Sequence, residues 1–342
     1  MYYYCWLLRC FTNYKQMRAA KLIVGILLGI LMLQLKAGAV ATASETGVFT
    51  DSKRGRDVPY KIYYPKDLKG AYPIVIFSHG LGGSKEGYEY LGRFLAQNGY
   101  LCIHIQHAGS DEEVWKGKTS KAAIMASLRK AVSKPMTAVN RFKDIPFVVD
   151  MVEDMNSSSP IFKGHIDLGK IGIAGHSFGA YTVLAASGQQ FGRGWVDFKE
   201  SRIKAGVALS PNPPKGTKVG DTKIYDGITI PLMHFTGTDD YDQVTSSDGD
   251  FDPKTRTIPY QNINRAPQYL VVLDKATHMT FSGSERSEAS DPKLDQHLTS
   301  VQRGVLAFFD MYLKGDRKQG DWLQNGGYLK TLSSSDRFEW KK

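Results

Sequence analysis

The stretch Gly175-His176-Ser177-Phe178-Gly179 lies between an apolar segment and a segment of small and apolar residues. Residues 170–174 have the composition of a short buried strand, and residues 180–187 repeat apolar side chains at helical spacing. A G-x-S-x-G turn between a strand and a helix is the setting of a nucleophile elbow, in which glycines let the helix and the backbone approach closely. The stretch predicts that Ser177 is a nucleophile. The alternative is an ordinary strand-to-helix turn.

Apolar segments that alternate with helical patterns follow one another along the chain. A partly exposed antiparallel strand is predicted at residues 58–64, and a helix from Tyr88 to Leu95 is stopped by Asn98-Gly99. Buried strands are predicted at 73–77, 101–105, 171–174, 203–209, 231–235 and 269–273, with further helices at 146–155, 180–187 and 294–312. This alternation predicts a single α/β domain over residues 44–342, with a mostly parallel central sheet and helices on both faces.

Two segments do not fit this alternation. Residues 109–141 are polar and rich in lysine, and they are either a flap that carries Trp115 toward a substrate or a solvated surface insertion. Residues 248–252 hold three aspartates in alternation, but the remaining ligands of a calcium loop are missing, so the pattern indicates calcium only weakly. We therefore expect no metal ion and no cofactor.

The first 43 residues differ from the rest of the chain. They contain five Lys or Arg and no acidic residue, and an apolar run of 14 residues extends from Leu22 to Leu35. Small residues at 37–39 and 41–43 fit cleavage sites, which predicts a cleaved secretory signal; an uncleaved anchor is the alternative. A basic segment also follows Met17, which is a possible true start. The sequence thus predicts a secreted or periplasmic protein with no stable membrane span after cleavage.

Removal of this segment leaves a chain of ordinary charge. The formal net charge falls from +10 to +5, and no Lys/Arg tract is interleaved with aromatic residues, so nucleic-acid binding is not supported. Cys5 and Cys10 lie in the segment, which leaves only Cys102. An intramolecular disulfide is then excluded.

A serine nucleophile needs a base, and the base needs an orienting acid. In α/β-hydrolases these follow the serine in the order acid, then histidine. Five of the eight histidines precede Ser177, His234 falls in a predicted strand and His297 in a predicted helix, which leaves His278 as the base. The acid is predicted in the loop after residues 231–235, with Asp240 preferred and Asp239 second.

An oxyanion hole is predicted from two backbone amides. One belongs to Phe178, directly after the nucleophile. The other is expected from the loop His79-Gly80-Leu81-Gly82, which follows the predicted strand 73–77, and we expect the Leu81 amide to point inward. Trp115, Met279 and Phe281 are candidate walls of the substrate pocket.

The loop 77–82 and the elbow 175–179 together resemble the platelet-activating-factor acetylhydrolase and dienelactone-hydrolase-like group of α/β-hydrolases, which includes chlorophyllase-like and polyester-cleaving enzymes. The resemblance spans roughly Tyr60 to Lys314 and implies the α/β-hydrolase fold and a lipase-like serine hydrolase that acts on carboxylic esters. Acetylhydrolases proper carry their acid after the strand matching 203–209, where this chain has Ser210. Dienelactone hydrolases proper use a cysteine where this chain has Ser177. Neither substrate is therefore carried over.

These observations predict an exported carboxylesterase acting on a small-molecule, lipid or polyester ester. A serine peptidase of related fold is an alternative, although such enzymes usually carry a large additional domain. A second alternative is a catalytically silent binding protein on the same scaffold, whose signature would be the loss of a triad residue.

Overall fold

The computed structural model describes residues 40–342 except 193, 195, 242, 243, 245–250 and 285–290. The chain divides into two units, Met1–Val40 and Ala41–Lys342, and the elements below belong to the second. The strands are β1 (Thr42–Asp51), β2 (Arg56–Pro65), β3 (Tyr72–Ser78), β4 (Leu101–Ile105), β5 (Ile166–His176), β6 (Ile203–Leu209), β7 (Leu232–Asp239), β8 (Gln268–Thr277) and β9 (Arg337–Lys341). The α-helices are α1 (Glu89–Gln97), α2 (Lys121–Val132), α3 (Pro135–Ser158), α4 (Phe178–Ser187), α5 (Ile258–Asn262), α6 (Leu294–Leu313) and α7 (Arg317–Gln324).

All these strands form one sheet in the order β1-β2-β4-β3-β5-β6-β7-β8-β9. The six strands from β4 to β8 in this order are parallel, whereas β1, β2 and β9 pair antiparallel with their neighbours. The carboxyl ends of parallel strands lie at one edge of a sheet, and in such folds the loops at that edge form the ligand-binding site. The loops after β3, β5, β6, β7 and β8 therefore lie side by side.

The sheet separates two hydrophobic cores because successive residues of a strand point to opposite faces. In β3, Ile74 and Ile76 belong to the first core, which α3 and α4 cover. Val75 and Phe77 belong to the second core, which α1 and α6 cover. The predicted architecture, a mostly parallel sheet with helices on both faces, is confirmed.

Several element boundaries differ from those predicted. The seven predicted strands correspond to β2–β8, but β1 and β9 were not predicted. Strand β1 begins at Thr42, two residues before the predicted boundary between signal and domain. Helix α3 begins at Pro135, 11 residues before its predicted start, and it contains Pro146 within its length.

The polar segment 109–141 is largely helical, since it contains α2 and the first turns of α3. Of the weak calcium motif, residues 248–250 lie outside the described residues, and the Asp252 side chain accepts a hydrogen bond from the Lys254 amide. Within the ranges that the structure describes, no helix is both long enough and apolar enough to cross a membrane. Cys102 is buried as a free thiol.

Candidate active site

Ser177 directly follows β5 and precedes α4, as the elbow pattern predicts. Its φ of 57° and ψ of −114° lie in a backbone region that non-glycine residues rarely occupy. A Cβ on Gly179 would lie 1.8 Å from the Ser78 carbonyl oxygen, so α4 approaches the end of β3 too closely for any side chain there. The Ser177 amide donates to the Leu209 carbonyl oxygen over 2.8 Å, which ties the elbow to β6.

Three side chains from separate loops form one hydrogen-bonded chain. The distance from Ser177 Oγ to His278 Nε2 is 2.9 Å, and the distance from His278 Nδ1 to Asp240 Oδ1 is 2.8 Å. Because a carboxylate only accepts, Nδ1 carries a hydrogen and Nε2 is free to accept the serine proton. Asp239, the second candidate for the acid, is exposed and takes no part in this chain.

Asp240 is fully buried, and each of its carboxylate oxygens accepts hydrogen bonds. Oδ2 accepts from Ser210 Oγ at 2.6 Å and from Thr236 Oγ1 at 2.9 Å. Oδ1 forms an ion pair with Arg256 Nε at 2.6 Å in addition to its bond with His278. Burial raises the pKa of the carboxyl, but the Arg256 charge and the hydrogen bonds outweigh it and hold the pKa well below its usual range.

Arg256, which the sequence reasoning did not single out, is itself fully buried. Its Nε also donates to the Asp240 carbonyl oxygen at 2.9 Å, and its Nη1 donates to the Ser210 carbonyl oxygen at 3.1 Å and to Asn212 Oδ1 at 2.6 Å. The guanidinium therefore fixes both the backbone and the carboxylate of Asp240. No local motif marks this role, because Arg256 lies 16 residues beyond Asp240 in a short 3₁₀ turn.

The two backbone amides predicted as oxyanion donors have no acceptor of their own in the described part of the chain. The Leu81 amide has no hydrogen-bond partner in the described part of the chain, whereas the neighbouring Gly82 amide donates to the Ser110 carbonyl oxygen at 2.8 Å. Phe178 is the first residue of α4, where an amide has no acceptor within the helix. Their role as oxyanion donors stays a prediction.

A relay of hydrogen bonds joins the loop after β3 to the loop of His278. The Gly80 amide donates to the Tyr88 hydroxyl at 3.1 Å, and this hydroxyl donates to His176 Nδ1 at 2.9 Å. His176 Nε2 then donates to the His278 carbonyl oxygen at 2.9 Å. Burial lowers the pKa of His176 well below its usual value, so the ring is neutral and each donor in the relay has an acceptor.

A second serine–histidine–aspartate chain lies beneath the loop 79–82. Ser78 Oγ is 2.9 Å from His107 Nε2, and His107 Nδ1 is 2.8 Å from Asp144 Oδ2. All three side chains are fully buried, and Arg54 and Arg56 pair with Asp144. A substrate cannot reach the buried Ser78 hydroxyl, so this arrangement is not a second active site.

The predicted pocket residues have different surroundings. Trp115 is half-buried, and its Nε1 donates to the Gly82 carbonyl oxygen at 2.7 Å, so it packs against the loop that contains Leu81. Met279 is also half-buried, next to His278. Phe281 is fully buried in the second core, and a substrate cannot contact its ring. The expectation that Phe281 lines the pocket is therefore wrong.

Comparisons with known proteins agree with this architecture. The family model for "Platelet-activating factor acetylhydrolase, isoform II" matches residues 54–122, which include Leu81. Platelet-activating factor acetylhydrolase of Cavia porcellus is 27% identical over 176 residues, which are 45% of this chain and 38% of that protein. The Bos taurus protein of the same name is 26% identical over 187 residues, which are 47% of this chain and 39% of that protein. The matched regions thus span well under half the length of these relatives.

A solved structure resembles the fold over most of the chain. Ferulic acid esterase from Streptomyces cinnamoneus superimposes with a TM-score of 0.55 and 16% sequence identity, covering 82% of this chain and 92% of the esterase. At this identity the likeness concerns the fold alone. The chain has the α/β-hydrolase fold, and within that fold it resembles the platelet-activating factor acetylhydrolases.

Proposed function

We propose that the protein is a serine hydrolase of carboxylic esters and that Ser177, His278 and Asp240 are its triad. The observation that carries the proposal is the unbroken chain of 2.9 Å and 2.8 Å contacts from Ser177 Oγ through His278 to Asp240. The names of the relatives, acetylhydrolase and esterase, support ester hydrolysis as the reaction.

The reaction follows from the atoms that these contacts bring together. His278 Nε2 takes the proton of Ser177 as the serine oxygen attacks the ester carbonyl carbon, and Asp240 stabilises the imidazolium that forms. The Leu81 and Phe178 amides donate to the oxyanion of the tetrahedral intermediate. His278 returns the proton to the leaving alcohol, and a water molecule, activated by the same histidine, then releases the acid from the acyl-enzyme.

The proposal covers carboxylic esters as a class. The relatives' names refer to an acetyl ester and to a ferulic acid ester, which differ greatly in the size of the acyl group. Trp115 and Met279 are the proposed contacts of the acyl group, since both are half-buried beside site residues. A small-molecule, lipid or polyester ester is compatible with this site.

We also propose that the protein is exported and that residues 1–43 contain the signal. The five basic residues and the apolar run support this proposal. Thr42 and Ala43 pair with Pro65 and Tyr64 in β1, so cleavage after Ala39 leaves β1 whole, whereas cleavage after Ala43 shortens it. Amino-terminal sequencing of the mature protein tests the site, and an unprocessed amino terminus in the exported fraction contradicts cleavage.

The deciding experiment for the reaction is a panel of p-nitrophenyl esters from acetate to palmitate, together with methyl ferulate. We expect Ser177→Ala to lose at least about 10³-fold in kcat, because the nucleophile is gone. Ser187→Ala is the matched control: Ser187 lies on the same helix, is buried and donates to the Val183 carbonyl oxygen. Equal rates of ester hydrolysis for the wild type and Ser177→Ala would refute the assignment of Ser177 as the nucleophile.

The same panel separates the alternatives. A peptide substrate that is cut when no ester is cut would favour a serine peptidase. Failure of a fluorophosphonate to label Ser177, with no turnover of any substrate, would favour a silent binding protein. Labelling of Ser177 together with ester turnover supports the proposal.

A further inference from the structure

Arg141 of α3 is a fully buried cation whose direct hydrogen-bond partners are all uncharged. Its Nε donates to Thr182 Oγ1 at 3.2 Å, its Nη1 to Ser110 Oγ at 2.9 Å, and its Nη2 to Ser78 Oγ at 3.0 Å and to the His79 carbonyl oxygen. In the part of the chain that the structure describes, no carboxylate lies within ion-pair distance of Arg141. Burial of a charge without a paired carboxylate opposes folding, and here four neutral groups rather than an ion pair hold the guanidinium.

The first group of contacts holds the loop that carries the Leu81 amide. Nη2 of Arg141 binds the carbonyl oxygen of His79, two residues before Leu81. Nη1 binds the side chain of Ser110, whose carbonyl oxygen accepts the amide of Gly82, the residue after Leu81. One guanidinium thus restrains the chain on both sides of the first oxyanion donor.

The second group of contacts holds Phe178, the other donor. The guanidinium carbon of Arg141 lies 4.5 Å from the centroid of the Phe178 ring. Nε donates to Thr182 Oγ1, which in turn donates to the Phe178 carbonyl oxygen at 3.0 Å. The first turn of α4 is thereby tied to the same guanidinium as the loop after β3.

We propose that Arg141 is a positioning residue that sets the relative placement of the Leu81 and Phe178 amides in the oxyanion hole. This inference rests on the proposed ester hydrolysis. Arg141 makes no hydrogen bond to Ser177, His278 or Asp240; it acts by holding the loop after β3 and the first turn of α4. A guanidinium suits this position because its planar fork directs several donors at fixed angles, which an ammonium group does not.

The test compares Arg141→Lys and Arg141→Met with Arg54→Met. Arg54 pairs with Asp51 and Asp144, and in the part of the chain that the structure describes it makes no hydrogen bond or ring contact with residues 78–82 or Phe178. The measurements are kcat and KM for a p-nitrophenyl ester, the inhibition constant of phenylboronic acid, whose tetrahedral adduct places an oxygen in the oxyanion hole, and the melting temperature.

We expect Arg141→Lys to lower kcat by about 10- to 100-fold, because loss of one oxyanion donor lowers kcat by about 10²- to 10³-fold. The affinity for phenylboronic acid is expected to fall by a similar factor, while KM changes less than about 3-fold. Arg141→Met is expected to lower kcat and the boronate affinity more than Arg141→Lys does. Arg54→Met is expected to keep kcat and the inhibition constant within about 3-fold, even where its melting temperature falls. The parallel loss of kcat and boronate affinity is the signature that a purely structural role does not produce.

Thr182→Val keeps the proposal testable if Arg141→Met does not fold. It removes the hydroxyl between Arg141 and Phe178, and we expect a loss of about 3- to 10-fold in kcat with a matching loss in boronate affinity. Unchanged kcat in a folded Arg141→Lys, or an equal loss in Arg54→Met, would overturn the inference. Activity that survives Ser177→Ala would instead overturn the proposed reaction and leave the hydrogen-bond arrangement around Arg141 unaffected.

Discussion

Arg256 and His278 meet at one carboxylate oxygen, since Arg256 Nε lies 2.6 Å and His278 Nδ1 lies 2.8 Å from Asp240 Oδ1. A permanent cation therefore lies against the acid of the proposed triad inside the protein. Its charge keeps the pKa of Asp240 low despite the burial of the carboxyl. Asp240 is thus held as an anion that can orient the imidazole.

Replacement of Arg256 by Gln is expected to lower kcat/KM about 10-fold at neutral pH. The pKa of Asp240 rises when the cation is lost, so the protonated and inactive form gains population as the pH falls. The ratio of wild-type to variant kcat/KM is therefore expected to grow toward acid pH, which a pH profile of both proteins measures. Arg265→Gln is the control, because Arg265 is exposed and pairs with Asp226. A ratio that is constant with pH would contradict this role.

Asp240→Asn and Asp239→Asn are expected to differ by orders of magnitude. The neutral amide of Asp240→Asn cannot stabilise the imidazolium or fix the ring tautomer, and loss of the acid costs about 10⁴-fold in kcat in serine hydrolases of this kind. Asp239 is exposed, so Asp239→Asn is expected to stay within about 3-fold of the wild type. Steady-state kinetics on one p-nitrophenyl ester decides the matter, and similar effects of both changes would refute Asp240 as the acid.

Tyr88→Phe is expected to lower kcat about 5- to 10-fold. The change leaves the Gly80 amide and His176 Nδ1 without their shared partner, so the loop of Leu81 and the loop of His278 lose one connection. Tyr90→Phe is the matched control, because the Tyr90 hydroxyl donates to the Phe281 carbonyl oxygen at 3.1 Å but is not part of the relay. Each change is expected to cost about 1 kcal/mol of stability. Equal kcat values for the two variants would show that the relay does not position the site.

Acid is expected to destabilise the protein between about pH 6.5 and pH 4. Burial lowers the pKa of His104, His107 and His234 to about 4. In this window the unfolded chain takes up protons that the folded chain does not, so the free energy of unfolding falls as the pH falls. Urea unfolding at several pH values measures the slope.

His234→Gln is expected to reduce that slope, because it removes one of the buried histidines whose pKa is lowered in the folded protein. Met233→Leu, a change in the same strand without a titrating group, is expected to leave the slope unchanged. A slope in His234→Gln equal to that of the wild type would contradict a depressed pKa for this histidine.

Much of the architecture followed from the sequence because continuous apolar segments identify strands that are buried on both faces. The two edge strands were missed for the same reason: β9 has a mixed polar composition, and β1 begins within a tract of small residues that also fits a cleavage site. Pro146 was interpreted as a helix start, whereas α3 extends through it.

The sequence predicts those site residues that lie in a short motif or at a fixed place in the order of the loops. Ser177, His278 and Asp240 followed from the elbow and from the order of the loops, and the structure brings their side chains together. The supporting residues could not be predicted, because Arg256, Arg141 and Tyr88 act through contacts between distant segments. Phe281 was misplaced because an aromatic residue near the base fits a pocket wall and a core position equally well in sequence.

Ser177 and Asp240 follow β5 and β7, which are interior strands with a hydrogen-bonded neighbour on each side. Fraying at the edges of the sheet does not reach these strands, and opening either one disrupts two ladders and both cores. We therefore expect the backbone amides of β5 and β7 to exchange with solvent only when the whole domain unfolds. The arrangement of the site and the fold of the domain are lost in one cooperative event.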